Sequence, residues 1–194
     1  MSTRQHVHSV AASLQPVVHG VSDARMGDPT PCSEFDVRAV ANHMLGTLEA
    51  MRRVGAREAL DPQDPWGTSG EHLRDEWRDD LSTLLDRWAT AWSQADAWEG
   101  EAMDGAMPRQ VLGDMGFVEV MLHGWDLARG SGQEVEYDDE AAHQALEVMA
   151  QIGEQGRSQG AFGPEVPVNE EAAAFARVLG SSGRDPHWPA EERP

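Results

Sequence analysis

The sequence predicts an all-α fold, a four-helix bundle extended by short C-terminal helices. Three observations predict it. Apolar residues recur every three to four positions through four long segments. No stretch alternates apolar and polar residues as a half-buried strand would. Gly- and Pro-rich stretches separate the periodic segments, as loops between packed helices do. A chain of 194 residues fits one domain of ordinary size. We therefore expect a single domain over 1–194, with the core bundle over about 4–130 and C-terminal helices and tail over about 138–194.

The first helix carries Val7, Val10, Ala11, Leu14, Val17, Val18 and Val21 on one face. Pro16 should kink or shorten it. A turn-rich loop follows, Gly27-Asp-Pro-Thr-Pro-Cys-Ser-Glu-Phe-Asp36, in which Ser33 and Asp36 have the spacing of a capping box. The second helix has the stripe Val37, Val40, Ala41, Met44, Leu48 and Met51. Residues 56–70, with Pro62, Pro65, Gly67 and Gly70, read as a loop. A third helix places Leu73, Trp77, Leu81, Leu84, Leu85, Trp88 and Trp92 on its apolar face and Asp75, Glu76, Asp79 and Asp80 on the other. The fourth runs from about 110 to 129 and is stopped by Gly130-Ser-Gly132. Shorter helices are expected over about 138–155 and 169–179.

Composition narrows the function classes. The formal charge of −19 disfavours nucleic acid and anionic lipid, both of which require a basic surface. All 15 basic residues are arginine, which fits a GC-rich bacterial genome. The N-terminus lacks the apolar stretch of a secretory signal, and no window of about 18 apolar residues could span a bilayer. The single cysteine, Cys32, cannot close an internal disulfide. These features place the protein in the cytoplasm, as a monomer or homodimer.

The fourth helix carries the chemistry. At about 100° per residue, Glu119, His123 and Asp126 fall within about 60° of one another. Leu112, Met115, Gly116, Leu122 and Leu127 flank them, while Phe117, Met121, Trp125 and Ala128 make the opposite side apolar too. Buried ionisable groups need partners, because an unpaired buried charge costs several kcal/mol. Arginine is one candidate partner. A divalent ion is another, since Glu119 and His123 stand one turn apart. On the second helix, His43 is surrounded by the small residues Ala39, Gly46, Thr47 and Ala50, which leaves room beside it. Two histidines and a carboxylate with an open position match catalytic zinc sites and also the facial triad of non-haem iron enzymes. Spacing alone leaves intrahelical pairing of Glu119 with His123 as an alternative.

Three segments resemble a known family. Thr30-Pro-Cys-Ser-Glu-Phe-Asp-Val-Arg-Ala-Val-Ala-Asn-His43 resembles the start of the second helix in mycothiol-dependent maleylpyruvate isomerases, within the wider DinB/YfiT-like four-helix metalloprotein group. Glu119-Val-Met-Leu-His-Gly-Trp-Asp-Leu-Ala128 resembles that family's second metal-binding segment, and Gly183-Arg-Asp-Pro-His-Trp188 is similar to the close of its short members. The resemblance implies His43, Glu119 and His123 as ligands of zinc, or of another divalent metal such as nickel or iron, and mycothiol as co-substrate. It further implies a thiol S-transferase or isomerase acting on an electrophilic small molecule. The full isomerase has an additional C-terminal domain, for which this chain is too short, so maleylpyruvate itself is not carried over. A zinc hydrolase and a non-catalytic metal-binding protein are the alternatives.

Other candidates are more peripheral. Asp126 can accept a hydrogen bond from a ligand imidazole. Cys32 reads as a residue of the turn, or as a thiol whose ionisation a helix N-terminus favours. Asn42 points away from His43 and reads as structural. Trp66, Trp125 and Arg184 are candidates for the substrate pocket.

Overall fold

In a computed structural model that describes residues 2–188, four helices form the bundle. They are α1 (Val7–Gly20), α2 (Val37–Gly55), α3 (Trp77–Ser93) and α4 (Arg109–Gly130). α1 and α2 each pack against both α3 and α4. The additional helices α5 (Asp139–Ser158) and α6 (Ala174–Ser181) pack on each other, and α5 lies against α4. Residues 1 and 189–194, which include the end of the expected tail, lie outside the described residues.

The apolar stripes account for this assembly. Leu14, Met44, Leu81, Leu85, Trp88, Trp92, Phe117 and Met121 are almost completely buried where the four helices meet. Burying a side chain of the Val, Leu or Met class stabilises the fold by about 1.5–3 kcal/mol. α4 is apolar nearly all round and occupies the middle, because α5 covers the side that the bundle leaves open. α1 runs unbroken through Pro16, which lies on its exposed face. The carbonyl deprived of its partner there can bond to water.

The details correct several sequence expectations. Asp36, not Ser33, caps α2, with its side chain accepting from Ala39 N at 2.7 Å. Ser33 instead lies in a turn closed by the bond from Phe35 N to Cys32 O. The loop before α3 extends to residue 76, because Asn42 Oδ1 captures the amides of His72 and Leu73 and draws Leu73 out of the helix. α6 begins only at Ala174, since Asn169 turns the preceding chain by accepting from Glu171 N. A short hairpin, β1 (Glu101–Ala102) with β2 (Met107–Pro108), was not legible as alternation. Each strand has two residues, and left-handed Met103, Asp104 and Gly105 form the turn.

The 56–76 loop is fixed to α2. Asn42 also donates to Gly70 O, and Arg38 pairs with Glu71 at 3.2 Å. Gly46 and Gly67 meet backbone to backbone, and a Cβ on either would collide with the other. The small residues around His43 thus serve this loop approach as well as leaving space. The result for the site is that Trp66 is held above α2.

Candidate metal centre

The loop before α2 builds the first wall of the site. Thr30 Oγ1 donates to the carbonyls of Cys32 and Phe35, at 3.1 and 2.6 Å. This fixes Phe35 where its ring lies 5.2 Å from the His43 ring and 6.2 Å from that of His123. Asp36 then starts α2 one residue later, and two turns on the helix presents His43.

α4 supplies the rest. Glu119 Oε1 lies 2.6 Å from His43 Nε2 and 3.5 Å from His123 Nε2. The two imidazoles meet edge to face at 4.7 Å. One ligand atom from each of His43, Glu119 and His123 lies within 4.8 Å of the other two. Glu119 is ringed by protein yet its side chain keeps 30% exposure, because that exposure is to a cavity. Burial is the largest influence on its carboxyl and opposes ionisation. The nearby His123 and the hydrogen bond from His43 outweigh burial and hold the pKa at about 2.

His123 is gripped from behind. Its Nδ1 lies 2.9 Å from Asp126 Oδ2, short in distance though off the line that a hydrogen bond prefers. Arg184 Nε reaches Asp126 Oδ1 at 2.9 Å and Nη2 reaches Oδ2 at 2.6 Å. Burial pushes the Asp126 carboxyl upward, but Arg184 and His123 hold it below the usual range. A carboxylate that fixes the far nitrogen of an imidazole is the ordinary support for a metal-binding histidine.

Cys32, His123 and Asp126 form a second compact group of possible ligand atoms. It suits a metal poorly. Asp126 is already neutralised by Arg184, and burial pushes the Cys32 thiol upward, with the Asp126 charge adding to the effect. The helix N-terminus does not reverse this. A thiol disfavoured as thiolate is a weak ligand.

The donors His43, Glu119 and His123 fit a borderline divalent ion such as zinc: two imidazole nitrogens and one carboxylate, with space on one side. That space is a cavity of about 350 Å³, floored by His43 and Glu119. Trp66 lines it. Trp125 and Arg184 do not. Trp125 is packed into the apolar core, and Arg184 is spent on Asp126. The sequence reading missed Phe35 and the cavity wall from α5, which includes Ile152 and Gln155. The Thr30-to-Phe35 turn was the only local signal for the first, and the periodicity of α5 marks its buried face without saying what lies opposite.

Fold and site define a helical-bundle protein with a two-histidine, one-glutamate cluster at the base of a cavity. Residues 7–128, from the first residue of α1 nearly to the end of α4, match the family model described as the mycothiol maleylpyruvate isomerase N-terminal domain. The chain belongs to that family. It is 27% identical over 162 residues to two uncharacterized Mycobacterium tuberculosis proteins, one from each of two strains, covering 82% of this chain and 85% of theirs. It also shares its fold with a histidine-to-alanine variant of mycothiol-dependent maleylpyruvate isomerase, known from a crystal structure. The TM-score is 0.57 at 18% identity, over 94% of this chain and 88% of that one. The shared fold thus runs over most of both chains, beyond the 7–128 segment, where the sequence had suggested a chain lacking the isomerase's C-terminal portion.

Proposed function

We propose that the protein is a thiol-dependent metalloenzyme, using mycothiol to transfer to, or isomerise, an electrophilic small molecule. The observation that carries the reading is the convergence of one ligand atom each from His43, Glu119 and His123 beside an accessible cavity that His43 and Glu119 line. Family membership supports mycothiol as the thiol. A divalent ion, most simply zinc, would be held by these three side chains. When bound, it would lower the pKa of a thiol so that thiolate is present at neutral pH.

The chain's own residues have separable tasks. Glu119 stays ionised throughout the physiological range. Asp126, locked by Arg184, keeps the His123 ring oriented. Phe35 and Trp66 exclude water from two sides. The thiolate sulfur bonds to the electrophilic carbon. In transfer, the leaving group departs with its electron pair and the thiol's proton goes to water. In isomerisation, the addition moves the π pair of a carbon–carbon double bond onto its conjugated carbonyl. After rotation about the resulting single bond the pair returns to re-form the double bond, the carbon–sulfur bond breaks and the thiolate is regenerated.

A zinc hydrolase would need an acid or base beside the ion. The one candidate, Asp126, is fully buried and paired with Arg184, so the arrangement favours thiol chemistry. A non-catalytic ion would not need the cavity. No described helix is long and apolar enough to cross a membrane. A reducing cytoplasm suits both the thiol and the lone Cys32. The test is metal analysis of protein purified without a polyhistidine tag. It should carry about one divalent ion per chain, and His43→Ala or His123→Ala should lose most of it while helicity remains. Full retention in both variants would refute the ligand set.

A further inference from the structure

We infer that Phe162 is a specificity-determining residue, a fixed wall of the cavity that sets the longest substrate body the cavity accepts. The inference deepens the proposed function by bounding the size of its substrate. It rests on that reading for the statement that the substrate occupies this cavity.

The way the chain leaves α5 puts the ring in place. The Ala161 amide donates to Gly156 O at 2.9 Å and the Gly160 amide to Arg157 O at 3.1 Å, with Gly160 left-handed at φ 79°. This pair of bonds is a standard helix ending, and it turns the chain back over the last helical turn. Phe162 comes next, and its ring lands on Gly156, where a Cβ would collide with ring atoms Cδ2 and Cε2. Glycine weakens the interior of a helix. At position 156 the bare backbone is what admits the ring.

The segment is also held from its other end. Gly163 meets Gly183 so closely that a Cβ on Gly183 would strike the Gly163 backbone. Gly183 adjoins Arg184, whose guanidinium is fixed on Asp126. Arg157 Nη1 donates to Ser181 O at 2.9 Å and ties the end of α5 to the end of α6. Phe162 therefore stands between two anchored points, as a wall and not a flap.

The rest of the lining makes that wall the limit. His43, Thr47 and Glu119 give the cavity a polar part, and Met51, Met115 and Phe162 belong to its apolar part. The methionines are unbranched and can change shape around a ligand. Phe162 cannot retreat in the same way, because the α5 backbone stands directly behind its ring. A volume of about 350 Å³ falls at the small end of ligand sites, so a ring's worth of space decides which bodies fit.

The experiment titrates straight-chain 1-alkanols, from butanol to nonanol, into the protein as purified and follows binding by calorimetry. Affinity should rise by about fourfold per methylene while the chain is being buried, then level off at the length that meets Phe162. In Phe162→Ala the rise should continue for about two further methylenes, and in the more conservative Phe162→Leu for about one. Either variant, with wild-type helicity by circular dichroism, suffices for the comparison. Levelling-off at the same length in wild type and variant overturns the inference. So does wild-type protein that binds none of the series, or whose affinity rises to the longest member. Alkanols neither carry a thiol nor react with one, so failure of the thiol chemistry would leave this pattern as it is.

Discussion

Arg184 lays its guanidinium along both carboxylate oxygens of Asp126, at 2.6–3.1 Å, across 58 residues of sequence and almost out of contact with water. The pair joins the segment after α6 to the C-terminal part of α4, directly behind His123. Breaking it from one side leaves a buried carboxylate without its cation. Arg184→Met should therefore cost about 3–5 kcal/mol in urea unfolding. A change within about 0.5 kcal/mol would mean that the pair does not form in solution.

The same pair should be felt at the metal. Glu119→Gln removes the charge of a proposed ligand and should release most of the ion. Asp126→Asn keeps the ligands and loosens only the His123 ring, so metal affinity should fall by about 10- to 100-fold. Competition with a chromogenic chelator separates the two. Equal and complete loss from both variants would make Asp126 a direct ligand.

Gly46 is expected to be intolerant of any side chain. A methyl group there would strike the Gly67 carbonyl and push away the loop that carries Trp66. Gly46→Ala should keep the helical circular dichroism of wild type, lose about 1–3 kcal/mol of stability and shift the Trp66 emission. Comparison with Trp66→Phe assigns the shift. Unaltered stability and emission would show that the loop does not rest on α2.

Acid should act on metal-free protein through Glu119 and Asp126. Both carboxyls ionise more readily folded than unfolded, Glu119 falling from an ordinary 4.5 to about 2. As pH falls, the unfolded chain takes up these protons first. Their contribution is fully present above about pH 4.5 and is lost as pH falls through the folded values. The urea midpoint should drop between pH 4.5 and 2, less steeply in Glu119→Gln. Identical slopes in the two proteins would contradict the ion pairing around Glu119.

Sequence periodicity was informative wherever a residue's neighbours lie within a few turns of one helix. The stripe from Val37 to Met51 and the all-round burial of α4 both follow from it. So does the one-turn spacing of Glu119 and His123, whose side chains stand 3.5 Å apart. Non-local facts were out of its reach. Nothing near Arg184 says that Asp126 waits 58 residues away, and nothing in Gly46 names Gly67 as its contact. Local rules also competed. The capping-box spacing of Ser33 and Asp36 put the cap at Ser33, whereas the Thr30 hydroxyl holds 32–35 in a turn and Asp36 caps the helix. Trp125 was judged by its residue type as a pocket wall, but its place on α4 faces the core.

The most direct test of the account replaces the proposed ion with cobalt(II), whose absorption reports its ligands, in a Cys32→Ser variant that has no thiol of its own. His43, Glu119 and His123 offer only nitrogen and oxygen, so the cobalt protein alone should show no sulfur-to-metal charge-transfer band. Mycothiol should create that band and saturate it, with an apparent affinity that rises with pH until the thiol is ionised in solution, because binding releases its proton. His123→Ala should abolish the response. A cobalt spectrum left unchanged by saturating mycothiol would contradict the proposed function.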